Sequence, residues 1–217
     1  MIGVVVDIDD TLINTQKRVR NVWSTVLDRE IPLEAVESLS SRQVLEKFAS
    51  SDRESWKRFW RVLLCLEETG IEMLKLDTPV PFAADVLQQW SKQCRLVYLT
   101  GRPENTRALT LNQLEKFGFP TDGVELLMFN PEDWNDFVSV ASLVGARSRV
   151  FSSVFQQYDI VRVVDDYPTF FSVYRQFNVP DRIGLLRPKR FSPQDYLSNG
   201  ATRVVESWSQ LSDDSPK

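Results

Sequence analysis

The sequence predicts an α/β protein: a parallel sheet flanked by helices, with a helical block inserted after the first strand. Three runs of β-branched and other apolar residues, Val4 to Val6, Arg95 to Thr100 and Ile160 to Val164, have the length and composition of buried strands. Segments of helical periodicity lie between them, and strands alternating with helices argue for a parallel sheet. From about Ile13 to Asp77 strand patterns vanish, which divides the chain into a core of residues 1–12 and 78–217 and an inserted helical domain of residues 13–77.

Inside the insertion, Val19, Val22, Trp23, Val26 and Leu27 recur at helical spacing, and Val44, Leu45 and Phe48 mark a second helix. Ser51 to Glu54 reads as a capping box opening a third, with Trp56, Phe59, Trp60 and Leu63 on one stripe. Three such helices form a small bundle, so that stripe is expected to be core rather than a stacking platform. Lys57, Arg58 and Arg61 fall on its polar face. Asp77, Thr78, Pro79 and Pro81 break the pattern and return the chain to the core. Pro103 suits a first helical position, so a helix is expected from Glu104 to Phe117, stopped by Gly118. Val124 to Phe129 follows as a strand, Asn130 and Pro131 as a helix start, and Gly145 as an interruption of the long helical region beyond. Late strands are expected at Ile183 to Leu186 and Thr202 to Val205, then a polar, frayed tail from Ser212 to Lys217.

Composition narrows the function classes. Hydrophobic residues make up 42% of 217, which excludes global disorder, and a net charge of -4 gives no general attraction for nucleic acid. The chain has no His, so His-dependent triads and His-ligated zinc are excluded. Its two cysteines, Cys65 and Cys94, lie in apolar stretches and read as buried free thiols. No apolar run approaches the ~20 residues of a membrane span, and no signal-peptide pattern precedes the first strand, so a cytoplasmic location is expected.

The chemistry lies where the strands end. The first delivers Asp7, with Asp9 two residues on; the second ends in Thr100, Gly101, Arg102 and Pro103; the third ends in Asp165 and Asp166. Carboxyl ends of strands form the ligand crevice of open α/β sheets. Paired carboxylates there need a shared proton or a cation, and a divalent ion with oxygen ligands meets that need. A hydroxyl, a Gly and a helix start after the second strand make an anion seat.

Asp7-x-Asp9-x-Thr11, Thr100-Gly101-Arg102 and Asp165-Asp166, each after a strand and in this order, resemble three of the four motifs of the haloacid dehalogenase superfamily. The resemblance implies a Rossmann-like core, makes the insertion a cap domain, and points to a Mg²⁺-dependent phosphatase acting on a small phosphomonoester. It places the nucleophile at Asp7, which would form an aspartyl-phosphate, and the proton donor and water activator at Asp9. Thr100, Gly101 and Arg102 become the phosphate-binding residues. Mg²⁺ would be held by Asp7, the Asp9 backbone carbonyl and Asp165. Asp10 reads as a turn residue, and Asp166 as either an outer neighbour of the metal or a cap on the helix after Pro168.

The chain departs from the family pattern at its cation, usually a Lys on the helix before the last acidic motif. No Lys lies between Lys116 and Lys189, which leaves Arg147 or Arg149. Val150, Phe151, Val154 and Tyr158 share a helical face with Arg147, whereas Arg149 aligns with Ser152, Ser153 and Gln156. Arg147 is therefore the expected site cation. A dehalogenase fits less well, because Asp9 and the Asp165-Asp166 pair suit phosphoryl transfer. Two alternatives remain: a non-catalytic phosphate-binding module, given the missing Lys, and a polynucleotide 3′-phosphatase, whose branch Tyr98 to Thr106 somewhat resembles. Arg187 to Arg190 is a short basic loop, a weak sign of a polyanion partner. Neither membrane partner nor oligomeric state is indicated.

Overall fold

The computed structural model describes residues 2–49, 52–130 and 140–216. Its main sheet has six strands in the order β5-β4-β1-β6-β7-β8: β1 (Ile2–Asp7), β4 (Arg95–Pro103), β5 (Glu125–Phe129), β6 (Asp159–Asp165), β7 (Asp181–Leu185) and β8 (Arg203–Val205). All neighbours pair in parallel. Val4, Val5 and Val6 of β1 are fully buried, as a strand covered on both faces requires. Helices α6 (Ala83–Trp90), α7 (Arg107–Lys116), α8 (Val140–Phe155), α9 (Phe171–Gln176) and α10 (Pro193–Asn199) link the strands. Val5, Val97, Leu99 and Val163 from the sheet join Phe151 and Val154 of α8 in one core.

Two compact units emerge, Met1–Leu12 with Pro79–Lys217, and Ile13–Thr78. The second holds α1 (Gln16–Val26), α2 (Leu33–Ser38), α3 (Ser41–Phe48), α4 (Arg53–Leu63) and α5 (Glu68–Met73), and the short strands β2 (Ile13–Asn14) and β3 (Thr78–Pro79) pair at its ends. Trp23 stacks on Phe59 with ring centroids 3.9 Å apart, beside Trp56 and Val62, so the aromatic stripe is core. Arg18, almost fully buried, grips Asp77 through Nε at 2.9 and 3.1 Å and donates through Nη1 to the Leu63 carbonyl. This ion pair ties the start of the insertion to its end.

Several expectations need correction. Among the described residues the insertion has five α-helices rather than three, because α2 and α5, six residues each, are too short to show periodicity. Ser51 lies outside the described residues, and α4 is capped by Asp52, whose Oδ1 accepts the Ser55 N–H at 2.7 Å. Pro103 ends β4 instead of starting a helix; a 3₁₀ turn over Glu104–Thr106 precedes α7. Helix α8 runs through Gly145, where a glycine costs about 1 kcal/mol relative to Ala without breaking the ladder. The tail is tied down, since Arg162 donates to the Asp214 carbonyl and carboxylate at 2.7 and 3.0 Å. The helix start expected at Asn130 and Pro131 runs into residues 131–139, which lie outside the described residues. Among the described residues no helix is long and apolar enough to cross a membrane, and both cysteines are free thiols.

Candidate active site

The sheet order reverses direction at β1: the chain moves from it to β4 on one side and β6 on the other. That reversal opens a crevice at the carboxyl ends of the strands. Register pairs Val6 with Val164 and Asp7 with Leu99, so the ends of β1, β4 and β6 are level. Asp7, Thr100 and Asp165 sit there, and all three are buried.

Asp7 is clamped from two sides. Its Oδ1 accepts from Arg147 Nη2 at 2.9 Å, and its Oδ2 accepts from Thr11 Oγ1 at 3.1 Å. The same Arg147 nitrogen donates to Asp165 Oδ2, while Nε donates to the Tyr174 hydroxyl at 2.9 Å. The Tyr174 hydroxyl in turn donates to Asp165 Oδ2 at 2.6 Å. The guanidinium carbon lies 4.3 Å from the centre of the Phe170 ring, completing an aromatic wall around a buried cation. Helix α8 turns Arg147 inward with Phe151 and Val154, and Arg149 is exposed. Burial and then the charge of Asp165 push the Asp7 carboxyl well above the ordinary carboxylate range; Arg147 pulls it down, and Asp166 and Asp9 add to the rise.

Asp166 does not cap a helix. The 3₁₀ turn after it has no side-chain cap, and it is Asp165 Oδ1 that accepts the Tyr167 N–H, at 2.8 Å. Asp166 instead faces inward, its Oδ1 3.2 Å from Thr11 Oγ1 and its Oδ2 accepting from Arg187 Nη1 at 2.8 Å. Arg187 Nη2 also holds Asp10 at 2.7 Å, and Asp10 occupies a left-handed turn with φ of 63°. Tyr196 fixes the start of that loop. Its ring fills the space a Cβ on Gly184 would need, 2.5 Å from Cδ1, and its hydroxyl accepts the Arg187 N–H at 3.2 Å. Burial raises the Asp166 carboxyl to about 7, with Arg187 opposing and Asp165 and Asp10 adding to the rise.

On the β4 side the arrangement differs from expectation. Arg102, buried, turns its fork onto Asp9: Nε lies 3.1 and 3.0 Å from the two carboxylate oxygens and Nη2 2.8 Å from Oδ1. Its Nη1 donates to Gln113 Oε1 on α7 at 2.7 Å. Thr100 Oγ1 donates to Asp9 Oδ2 at 3.2 Å and accepts the Arg102 N–H at 3.1 Å. Thus Thr100 and Arg102 hold Asp9, and the Arg102 amide, half of the expected anion seat, is engaged. Gly101 is half-buried in the strand between them.

Asp7, Asp165 and Asp166 bring one carboxylate oxygen each within 4.8 Å of one another. The donor set is hard oxygen throughout, which suits Mg²⁺, Ca²⁺ or Mn²⁺. Thr11 has one hydroxyl proton for two carboxylates, so the triad has a further demand for a proton or cation that Arg147 and Arg187 leave unmet. The residues therefore fit a divalent ion. Asp166 joins the expected Asp7 and Asp165 in this group of side-chain oxygens, whereas the ligand expected of Asp9 is its backbone carbonyl. Tyr174 and Arg187 are additions that strand-end reading does not reach: one lies on a six-residue helix, the other in an aperiodic loop.

No protein-family model matches the chain. A Bacillus cereus protein named "Putative nucleotidase" is 30% identical over 115 residues, 52% of this chain. The chain spans 58% of that relative's length in the match. Among solved structures, a haloacid dehalogenase-like hydrolase from Streptococcus pneumoniae aligns over 96% of this chain and 95% of its own, with a TM-score of 0.67 at 13% identity. A HAD family hydrolase from Deinococcus radiodurans, solved with bound phosphate and sodium, aligns over 96% and 92%, with a TM-score of 0.65 at 17% identity. With its six-stranded parallel sheet flanked by helices, this chain has the haloacid dehalogenase-like fold.

Proposed function

We propose that this protein is a Mg²⁺-dependent phosphatase that hydrolyses a small phosphomonoester through an aspartyl-phosphate on Asp7, with the helical insertion serving as its cap. The observation that carries the reading is the clamp on Asp7: a buried carboxylate held by Arg147 and Thr11, level with Asp165 and Asp166. Such a group is fixed in one rotamer and shielded from bulk water, as a nucleophile for phosphorus should be.

In the first step an Asp7 oxygen bonds to phosphorus while the ester oxygen leaves, taking its proton from Asp9. In the second, Asp9 accepts a proton from water, the water oxygen attacks phosphorus, and Asp7 departs as carboxylate with inorganic phosphate released. Asp7 must be ionised to attack, and Arg147 provides part of the stabilisation. Mg²⁺ bound to Asp7, Asp165 and Asp166 would supply the remaining positive charge and neutralise the phosphoryl oxygens. Arg102 and Thr100 hold the Asp9 carboxylate, which must turn from this bracket toward the ester oxygen to act. The nucleotidase name of the Bacillus cereus relative and the phosphate held by the Deinococcus radiodurans neighbour support a phosphomonoester substrate. The overall charge of -4 favours a small molecule over a polynucleotide end.

Phosphate release from a panel of phosphate esters, with Mg²⁺ or with chelator, tests the proposal. Wild-type protein should release phosphate only with the metal, and Asp7→Asn should be inactive yet fold normally by circular dichroism. Substantial Mg²⁺-dependent turnover by Asp7→Asn would remove Asp7 from the nucleophile's role.

A further inference from the structure

The loop after β7 carries two arginines with different fates. Arg187 bonds to Asp10 and Asp166, so its charge is matched. Arg190 lies one turn further on, in a tight loop closed by the Arg190 and Phe191 N–H groups donating to the Arg187 carbonyl, both at 2.9 Å. Its guanidinium rests against two aromatic rings, 5.9 Å from the centre of Tyr167 and 5.4 Å from that of Phe191. Those rings meet edge to face at 5.6 Å and form a corner beside the site, because Tyr167 directly follows Asp166 and its N–H anchors Asp165. Among the described residues no carboxylate forms an ion pair with Arg190. The residue is half-buried. Burial and the neighbouring Arg187 charge weigh against its cation, and Tyr167, Asp166 and Asp10 offset them only in part.

A half-buried guanidinium with aromatic support and no carboxylate paired to it among the described residues is prepared for an anion that comes and goes. Its planar fork matches a carboxylate or phosphate through two parallel N–H bonds, and the two rings pack beside it. Arg187 cannot take this role without releasing Asp10 and Asp166. Resting on the phosphatase reading above, we propose that Arg190 anchors a second anion subsite, and that the substrate is a phosphomonoester bearing a further carboxylate or phosphate group.

The test uses ω-carboxyalkyl phosphates of increasing chain length, each paired with the ω-hydroxyalkyl phosphate of the same length, and a matching set of alkane bisphosphates. At one chain length the wild-type protein should prefer an anionic member by about tenfold or more in kcat/KM, the scale of a charge-assisted hydrogen bond. Arg190→Gln should erase that ratio and Arg190→Lys should keep part of it. The carboxylate and bisphosphate arms tell which anion the subsite takes. The same compounds are compared by thermal shift with Mg²⁺ present, which needs no turnover. If no ester releases phosphate, the phosphatase reading fails, and the thermal-shift ratio still decides the subsite. A wild-type protein without anion preference at any length, or an Arg190→Gln variant that retains the preference, overturns the proposal.

Discussion

Mg²⁺ should stabilise this protein strongly at pH 7.5 and hardly at all at pH 5. The reason lies in Asp166, whose carboxyl is raised from an ordinary 3.8 to about 7. Between those values the unfolded chain has lost this proton and the folded chain keeps it. The folded state then binds more protons, so metal-free stability falls as pH rises through the window from about 4 to about 7. The full effect is on the order of 4 kcal/mol, at 1.36 kcal/mol per pH unit. Asp7 is raised as well and acts in the same direction. A divalent ion reverses the preference, because it binds the ionised triad and must displace the proton to do so. At a concentration about a hundredfold above its dissociation constant at neutral pH it contributes about 2.7 kcal/mol. For a chain of this size that corresponds to roughly 5–10 °C in Tm. Two pH units below the Asp166 value only about one molecule in a hundred is ionised there, and the same Mg²⁺ loses nearly all its effect. Scanning calorimetry with Mg²⁺ or chelator at both pH values measures this. Equal Mg²⁺ shifts at the two pH values, chelated protein more stable at pH 7.5 than at pH 5, or an undiminished shift in Asp165→Asn would refute the reasoning.

Arg147→Ala should lower kcat/KM by about a hundredfold or more, on the scale of losing a preorganised charge donor, whereas the exposed Arg149→Ala should stay close to wild type; the reverse ranking in matched kinetics would mean the site takes its cation elsewhere. Because Asp9 must leave the Arg102 fork to reach the ester oxygen, Arg102→Gln should speed esters with poor leaving groups relative to p-nitrophenyl phosphate, which needs little protonation of its leaving oxygen. Equal losses on both substrates would reduce Arg102 to a structural role. In the insertion, Arg18→Met removes the guanidinium from buried Asp77 and should cost roughly 3–5 kcal/mol in urea unfolding; a loss below about 1 kcal/mol, the range of exposed pairs, would show that water reaches Asp77.

What could be read from sequence follows the range of the physical signal. Strand ends were legible because Val4 to Val6 and Ile160 to Val164 are β-branched runs that stop at acidic residues, and the pattern is local. Arg147 was distinguishable from Arg149 because a 16-residue helix gives its apolar face several turns to declare itself. Arg102 illustrates the limit. Its residue type and motif point to a substrate anion, but its target is a carboxylate 93 residues away in the chain, brought near only by the pairing of β1 with β4. Arg187 meets Asp166 from 21 residues away through a loop with no periodicity. The tail reads as polar and frayed because nothing local shows that Arg162 and Arg203 wait for Asp214.

An arginine at position 147, rather than a lysine, accounts for a residue the strand-end motifs do not mention. An ammonium group could reach both Asp7 and Asp165 with two of its three N–H donors, which rotate freely about one bond. A guanidinium does the same with Nη2 alone, and its Nε–H then points into a buried wall where an unmatched donor would cost ~1–3 kcal/mol. The Tyr174 hydroxyl accepts that N–H and donates its own O–H to Asp165, so the Nε–H becomes a second hold on the acid that Nη2 already touches. Arg147 and Tyr174 are therefore one unit. Changing Arg147 to Lys would preserve the charge at Asp7 yet leave the Tyr174 oxygen without its donor, which makes the tyrosine the natural companion of an arginine at this position.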